Sequence, residues 1–161
     1  MKIKVEVIAM LKATIMFRDA RDVVMHIAVL LRIAMADGKF LDAEKTFITN
    51  AASLYASTCG TKTFDKMVDD CIANLPKSAL DGWMMSLEKR PVEARNLVKD
   101  MIALGCVDGE YCEEERKEVH EIATKLNVPN VVVEAIETLL LNLIKATQDL
   151  QIIIECGTSK A

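Results

Sequence analysis

The sequence contains few of the residues that make tight turns or aromatic cores. Three Pro and six Gly occur in 161 residues, too few for the many tight turns of an all-β protein. Aromatic residues make up 4% of the chain, whereas hydrophobic residues make up 52%. Aliphatic side chains and nine Met must therefore fill the core, and such residues suit helix packing. We predict a single all-α domain, 1–161, large enough for a substantial core.

Features of secreted, membrane-spanning and nucleic-acid-binding proteins are also missing. The five Cys include no CxxC pair, which favours reduced thiols in the cytosol over a disulfide framework. The apolar start is followed by RDAR at 18–21 rather than by the small residues of a signal-peptide cleavage site, which disfavours a secretory signal. His26 and Arg32 interrupt the most apolar early run, which disfavours a membrane-spanning helix there. The net charge of −4 disfavours nucleic acid. We expect a cytoplasmic protein without direct membrane insertion and without a nucleic-acid partner.

Apolar residues at helical spacing predict a bundle of about seven to eight helices, with a core at about 20–150. The predicted helices are an N-terminal helix at 3–17, a helix from the Asp19 cap to Asp37, and helices at 42–56, 63–74, 78–88, 91–107, 113–126 and 131–154, with a loose tail at 157–161. Leu139–Leu141 with Leu143 and Ile144 make the last helix apolar almost all round, which predicts a central position. His26 is expected at the surface or at the core boundary, and Trp83 in the core.

One short acidic stretch occurs twice. It reads DGKFLDAE at 37–44 and DGEYCEEE at 108–115. The offset between the first Asp of each copy is 71 residues, and the offset between the last Glu of each copy is the same. Each copy follows an apolar run that has helical spacing. The pattern predicts an internal duplication of helix, acidic loop and helix. The second loop and its helix, 108–121, also carry a net charge of −5, which can attract cations or a basic partner.

The repeated spacing resembles part of an EF-hand, with Asp at loop position 5, Gly at 6 and Glu at 12. Positions 1 and 3 would be Ile33 and Met35 in the first copy and Leu104 and Cys106 in the second. None of these side chains supplies an oxygen ligand, so neither copy is an EF-hand. If the loops face each other, however, their carboxylates converge, and hard cations prefer such oxygen ligands. The expected affinity is weak, on the order of 10⁻⁴ M.

A purely structural interpretation of the same residues is also open. Asp-Gly is a common turn, and Gly frequently ends a helix. Glu44 and Glu115 can be the third residue of a helix and accept a hydrogen bond from a free backbone N–H, as in a capping box. Carboxylates in a first turn also interact favourably with the helix dipole.

The two copies resemble the signature of a known family. RIAMADGKFLDAE at 32–44 is similar to the signature of the TerB-like family, named for tellurite-resistance protein B, and IALGCVDGEYCEEER at 102–116 is similar to its second copy. The resemblance implies an all-α domain with acidic loops that bind a metal ion, and a role in tellurite resistance and stress responses with membrane-associated partner proteins. It further implies that Asp37, Glu44, Asp108 and Glu115 are the functional carboxylates.

Two positions depart from that family's pattern. The family usually has Ser or Thr three residues before the Glu, where this chain has Leu41 and Cys112. Since Leu has no side-chain acceptor, we predict that Asp42 caps instead and moves the helix start by one residue. Cys106, Cys112 and His120 lack zinc-module spacing, and the neighbouring glutamates oppose ionisation of Cys112.

Three functions remain open from the sequence. The first is a non-catalytic stress-response protein that binds a divalent cation, with Ca or Mg favoured over Zn. The second is a helical protein-interaction module without metal, whose acidic face docks a basic partner. The third is a carboxylate-based hydrolase, which is disfavoured because no substrate pocket is evident, so we do not expect an enzyme. Ile152–Ile154 either enter the core or form a homodimer seam.

Overall fold

A computed structural model of the chain describes residues 20–59, 66, 75–109 and 111–157. These residues form six α-helices and one short 3₁₀ helix, and none of them lies in a β-strand. The helices are α1 (Ala20–Ala34), α2 (Asp42–Cys59), α3 (Lys77–Ser86), the 3₁₀ helix (Leu87–Lys89), α4 (Pro91–Gly105), α5 (Glu113–Lys125) and α6 (Asn130–Gly157). The predicted all-α class is confirmed for this part of the chain.

Several sequence predictions concern residues outside those ranges. The predicted helix at 3–17 lies outside the described residues, as do 158–161 of the predicted tail and all of 63–74 except Lys66, which is helical. The total of seven to eight helices, the internal duplication and the single domain therefore stay predictions. The described helices begin and end within a few residues of the predicted positions, and α4 begins at Pro91, as expected.

Two helices, α1 and α4, form the centre of the described structure. The helix α1 packs against α2, α3, α4 and α5, and α4 packs against α5 and α6 as well. Their largest fully buried side chains are Ile27, Leu30 and Ile33 from α1 and Leu97, Met101, Ile102 and Leu104 from α4. Because both helices are enclosed, the loops that follow them, 35–41 and 106–112, emerge from the core.

The prediction for His26 is wrong. Its side chain is fully buried, and Nε2 lies 3.1 Å from Oδ2 of Asp100 on α4. The other carboxylate oxygen of Asp100 lies 2.6 Å from Nζ of Lys99. The spacing of apolar residues placed His26 beside the core face of α1, but α1 is surrounded by neighbours on every side, and a carboxylate from α4 meets the imidazole.

A polar contact fastens the start of α1 to α3 and α4. Trp83, buried as predicted, donates from Nε1 to Asp22 Oδ1 at 2.7 Å, and Arg90 Nη1 donates to Asp22 Oδ2 at the same distance. Burial acts to raise the pKa of Asp22, but the hydrogen bonds from Arg90 and Trp83 outweigh it and lower the pKa. This contact lies at the end of α1 opposite the acidic loop.

The predicted central position of α6 is also wrong. The helix packs through Val133, Leu140 and Ile144 on the other described helices, which we call the body. In contrast, Leu139 is 69% exposed, and Leu141 and Leu143 are exposed as well. A helix that is apolar all round is expected to be enclosed, but in the described structure only one stripe of α6 meets the body. Ile152–Ile154 are exposed too, so they do not enter the described core.

Candidate functional site

The two acidic loops begin with the same kind of turn, at 35–38 and at 106–109. Each follows the end of a central helix, at Ala34 and at Gly105, and each turns at a glycine with positive φ, 78° for Gly38 and 94° for Gly109. These angles lie in the left-handed region, which glycine adopts without steric cost. The Asp-Gly pair therefore ends the turn and redirects the chain into the next helix.

Glu44 and Glu115 hold the second half of each loop in the same way. Glu44 Oε2 accepts from the backbone N–H of Leu41 at 2.7 Å, and Glu115 Oε2 accepts from that of Cys112 at 3.0 Å. Cys112 Sγ in turn accepts from the Glu115 N–H at 3.5 Å and completes a capping box. The structural interpretation of these glutamates as helix-capping residues is confirmed.

The predicted change of helix start in the first loop is wrong. The helix α2 begins at Asp42, and the carbonyl of Leu41 accepts from Lys45 N–H at 2.9 Å, the first bond of the helix. Leu41 therefore occupies the same N-cap position as Cys112, without a side-chain acceptor. The hydrogen bond from the Leu41 N–H to the Glu44 carboxylate keeps Leu41 as the N-cap, whereas we expected Asp42 to take that position.

The four predicted carboxylates line one cleft. Asp37, Glu44, Asp108 and Glu115 all face a space of about 430 Å³, whose other lining residues are Ala36, Lys39, Leu41, Cys112 and Glu114. Packing of α1 on α5 brings the loops together, and an ion pair between Arg32 Nε and Glu118 Oε1 joins these helices. The two copies of the motif thus meet at one cleft.

Burial and like charges raise the pKa values of both glutamates. Glu44 is 4% exposed and Glu115 is 6% exposed. Desolvation first, and then the charges of Glu115, Asp37 and Asp108, raise the pKa of Glu44 to about 7 against the lowering effect of the hydrogen bond from the Leu41 N–H. The pKa of Glu115 is also raised, by desolvation first and then by Asp108 and Asp37. The carboxylates of the two loops therefore repel one another across the cleft.

The described side chains do not form a ready metal centre. Within the described ranges, no group of three or more His, Cys, Asp or Glu is arranged to hold a metal ion. Burial raises the pKa of Cys106 to about 12 and also raises that of Cys112, which opposes thiolate formation. His120 bonds to Asn130 and Glu137 instead, at 2.8 and 2.9 Å.

The residue that anchors the second loop was not predicted from the sequence. Glu137 on α6 is 4% exposed, and its carboxylate accepts from Tyr111 Oη at 3.1 Å, Arg116 Nη2 at 3.1 Å and His120 Nε2 at 2.9 Å. Burial acts to raise the pKa of Glu137, but these hydrogen bonds outweigh it and lower the pKa. A Glu in an apolar helical stretch is the only available signal, and it does not identify partners on other elements.

The fold and the cleft define an all-α protein with an acidic concavity formed by two matching loops. No described helix combines the length and the apolarity that crossing a membrane requires. Comparison of the chain with protein-family models, with curated proteins and with solved structures gives no match.

Proposed function

We propose that this protein is a non-catalytic binding protein whose acidic cleft takes up a hydrated divalent cation, with Ca or Mg favoured over Zn. The observation that supports this proposal is the position of Asp37, Glu44, Asp108 and Glu115 around one cleft. Mutual repulsion raises the energy of the empty, ionised cleft, and a bound cation relieves it. The four carboxylates offer oxygen ligands, which suit a hard cation, whereas Zn favours nitrogen and sulfur ligands.

The cation is proposed in hydrated form for a geometric reason. Glu44 and Glu115 each use one carboxylate oxygen for a backbone N–H, and no three described acidic side chains are arranged around a bare ion. Mg²⁺ retains several of its waters in proteins and binds through only one or two carboxylates. Waters on the ion can span the cleft, so the expected affinity stays on the order of 10⁻⁴ M.

The proposed biological setting follows from the resemblance to the TerB-like family. The motifs at 32–44 and 102–116 support a stress-response role in the cytoplasm, with membrane-associated protein partners and a link to tellurite resistance. In this proposal the protein binds and does not turn over a substrate.

Thermal unfolding with and without Ca²⁺, Mg²⁺, Mn²⁺ and Zn²⁺ tests the proposal. A cation present at about 100 times its Kd stabilises the folded state by about 2.7 kcal/mol. We expect this rise in Tm for the unmodified chain and its loss in Asp37→Asn/Asp108→Asn. The control Glu88→Gln/Glu121→Gln removes two exposed carboxylates outside the cleft lining and should keep the rise. An equal response of both double variants would show general charge screening and refute a cleft site.

A second candidate function is a metal-free interaction module that docks a basic partner. The observation in its favour is the apolar surface beside the carboxylates, where Met35, Phe40 and Leu41 are exposed. A segment that combines Lys with aliphatic residues matches both features of this surface. An unchanged Tm at millimolar cation, together with binding of a Lys-Leu peptide that Asp37→Asn/Asp108→Asn abolishes, would favour this function over the first.

A further inference from the structure

The exposed side of α6 carries a regular apolar stripe that the cleft does not use. It consists of Leu139, Leu143, Ala146, Leu150 and Ile153, which are separated by four, three, four and three residues. All five are exposed, and the exposed fractions of the four larger side chains run from 45% at Leu143 to 69% at Leu139. Val132 and Ile136, both partly buried against the body, precede the stripe at the same spacing. We call the five exposed residues the α6 seam.

The seam is distinct from the stripe by which α6 packs on the body. The body-facing residues are Val133, Leu140 and Ile144. Leu140 and Ile144 directly follow the seam residues Leu139 and Leu143, and Val133 directly follows Val132. At about 100° of rotation per residue, the two stripes lie on different sides of the helix. The body therefore occupies one side of α6 and leaves the seam uncovered.

The spacing of the seam identifies another helix as its occupant. Alternating steps of three and four residues are the a and d positions of a coiled coil, whose side chains insert between those of a facing helix. Residues 145–156 are exposed except for Thr147 and Gln151, which are half-buried. A helical segment this short and this apolar is marginal alone in water, so a facing helix would supply the packing that the body does not.

The residues that flank the seam favour an identical helix over a different one. The flanking e and g positions are Leu140, Asn142, Thr147, Asp149, Ile154 and Cys156. Asp149 is the single charged residue among them. Charges at these positions select a different partner through opposite charges or oppose self-pairing through like charges. With flanks this nearly neutral, two copies of the same helix meet without a like-charge barrier.

We propose that two copies of this chain dimerise through the α6 seam. The interface is independent of the proposed cation cleft, because no residue of the seam lines the cleft. The neighbouring Ile154 extends the buried apolar surface at the end of the helix. Leu143 and Leu150 occupy equivalent positions one heptad apart and form the layers of the interface most sensitive to charge.

Sedimentation velocity on the full chain tests this proposal. The unmodified protein should sediment with twice its chain mass of 17.8 kDa, and the mass should fall on dilution. Leu143→Glu/Leu150→Glu should halve the mass at concentrations where the unmodified protein is a dimer. Leu143→Ile/Leu150→Ile, which keeps apolar side chains suited to two-stranded coiled coils, should remain dimeric. The matched control Met85→Glu/Val92→Glu, at exposed apolar positions on α3 and α4, should also remain dimeric.

Fluorescence of Trp83, the single Trp, distinguishes dissociation from unfolding. Trp83 is buried in the body and away from α6, so its emission should not change in the seam variant. A monomeric unmodified chain at all concentrations would overturn the proposal. A dimer that survives Leu143→Glu/Leu150→Glu would also overturn it, because the interface would then lie elsewhere.

Discussion

The two acidic loops share their glycine turn but differ in how their aromatic residue is placed. Phe40 in the first loop is 40% exposed, whereas Tyr111, at the matching position of the second loop, is half-buried and donates to Glu137 at 3.1 Å. The second loop also has a side-chain cap at Cys112, where the first has Leu41. One wall of the cleft is therefore tied to α6 through side chains, and the other keeps its aromatic residue at the surface.

A single residue at the end of each preceding helix explains the difference. A Cβ atom on Gly105 would lie 2.7 Å from the ring of Tyr111 and 3.4 Å from Glu115 Oε2, so the ring occupies space that only glycine leaves open. The matching position in the first copy is Ala34, which has that Cβ atom. The spacing of the motif thus sets the turn. The last residue of the preceding helix, Ala34 or Gly105, decides whether the aromatic residue of the loop packs inward.

The largest expected effect comes from breaking the anchor of the second loop. Glu137→Ala should lower the free energy of unfolding by about 3 kcal/mol, because three donors lose a buried charged acceptor. Urea unfolding measures this loss. Asp149→Ala, at an exposed position on the same helix, should change stability by less than about 0.5 kcal/mol. Equal effects of the two variants would contradict a stabilising role for the Glu137 contacts.

The next effect concerns pH. The pKa of Glu44 is raised from 4.5 to about 7 in the folded state, so its contribution to stability is present below pH 4.5 and is lost as pH rises through 7. Glu44→Gln should therefore match the unmodified protein near pH 4.5 and exceed its stability above pH 7 by up to about 3 kcal/mol. Gln retains an oxygen that can accept the Leu41 N–H.

Urea unfolding from pH 4.5 to 8 measures the difference. Glu113→Gln, at an exposed position outside the cleft lining, should have little effect across this range. If Glu44→Gln were less stable than the unmodified protein at pH 8, the repulsion across the cleft would be weaker than the helix-capping contribution of the carboxylate.

A smaller loss is expected when the second loop is made to resemble the first. Gly105→Ala places a methyl group against Tyr111 and forces the ring to move, which should cost about 2 kcal/mol. Circular dichroism melts measure the change. In Gly105→Ala/Tyr111→Ala the clash is absent, so adding Gly105→Ala to Tyr111→Ala should cost little. An equal cost in both backgrounds would show that the clash with Tyr111 is not the cause.

The smallest effect comes from giving the first loop the missing cap. Leu41→Ser supplies a side-chain acceptor at the N-cap of α2 and, with Glu44, completes a capping box. The expected gain is about 1 kcal/mol in the free energy of unfolding. Leu41→Ala, which removes the same apolar surface without adding an acceptor, should not show the gain. If both variants behave alike, the Glu44 back-bond already satisfies the start of the helix.

The sequence predicted those parts of the site that depend on neighbouring residues. Gly38 and Gly109 turn the chain, and Glu44 and Glu115 bond back over three residues, so the spacing alone indicated both arrangements. The loops meet because α1 packs against α4 and α5, which could be stated only as a condition from the sequence. The prediction that Asp42 caps α2 is wrong, because the Glu44 carboxylate accepts from the Leu41 N–H and holds the start of the helix at Leu41.

The contacts that sequence reasoning missed join residues from distant segments. His26 meets Asp100 inside the core, and Glu137 meets Tyr111 from another helix. Periodicity indicates which face of a helix is apolar, but not which polar group a neighbouring helix presents to it. The same limit explains α6, since the Leu139–Leu141 run specifies apolar surface without specifying whether the body or another molecule covers it.

Whether the two loops form one site can be measured by calorimetric titration with Ca²⁺. We expect one ion per chain, with a Kd on the order of 10⁻⁴ M, and loss of binding in Asp37→Asn alone and in Asp108→Asn alone. Two independent ions, or binding that survives either single substitution unchanged, would contradict a single site.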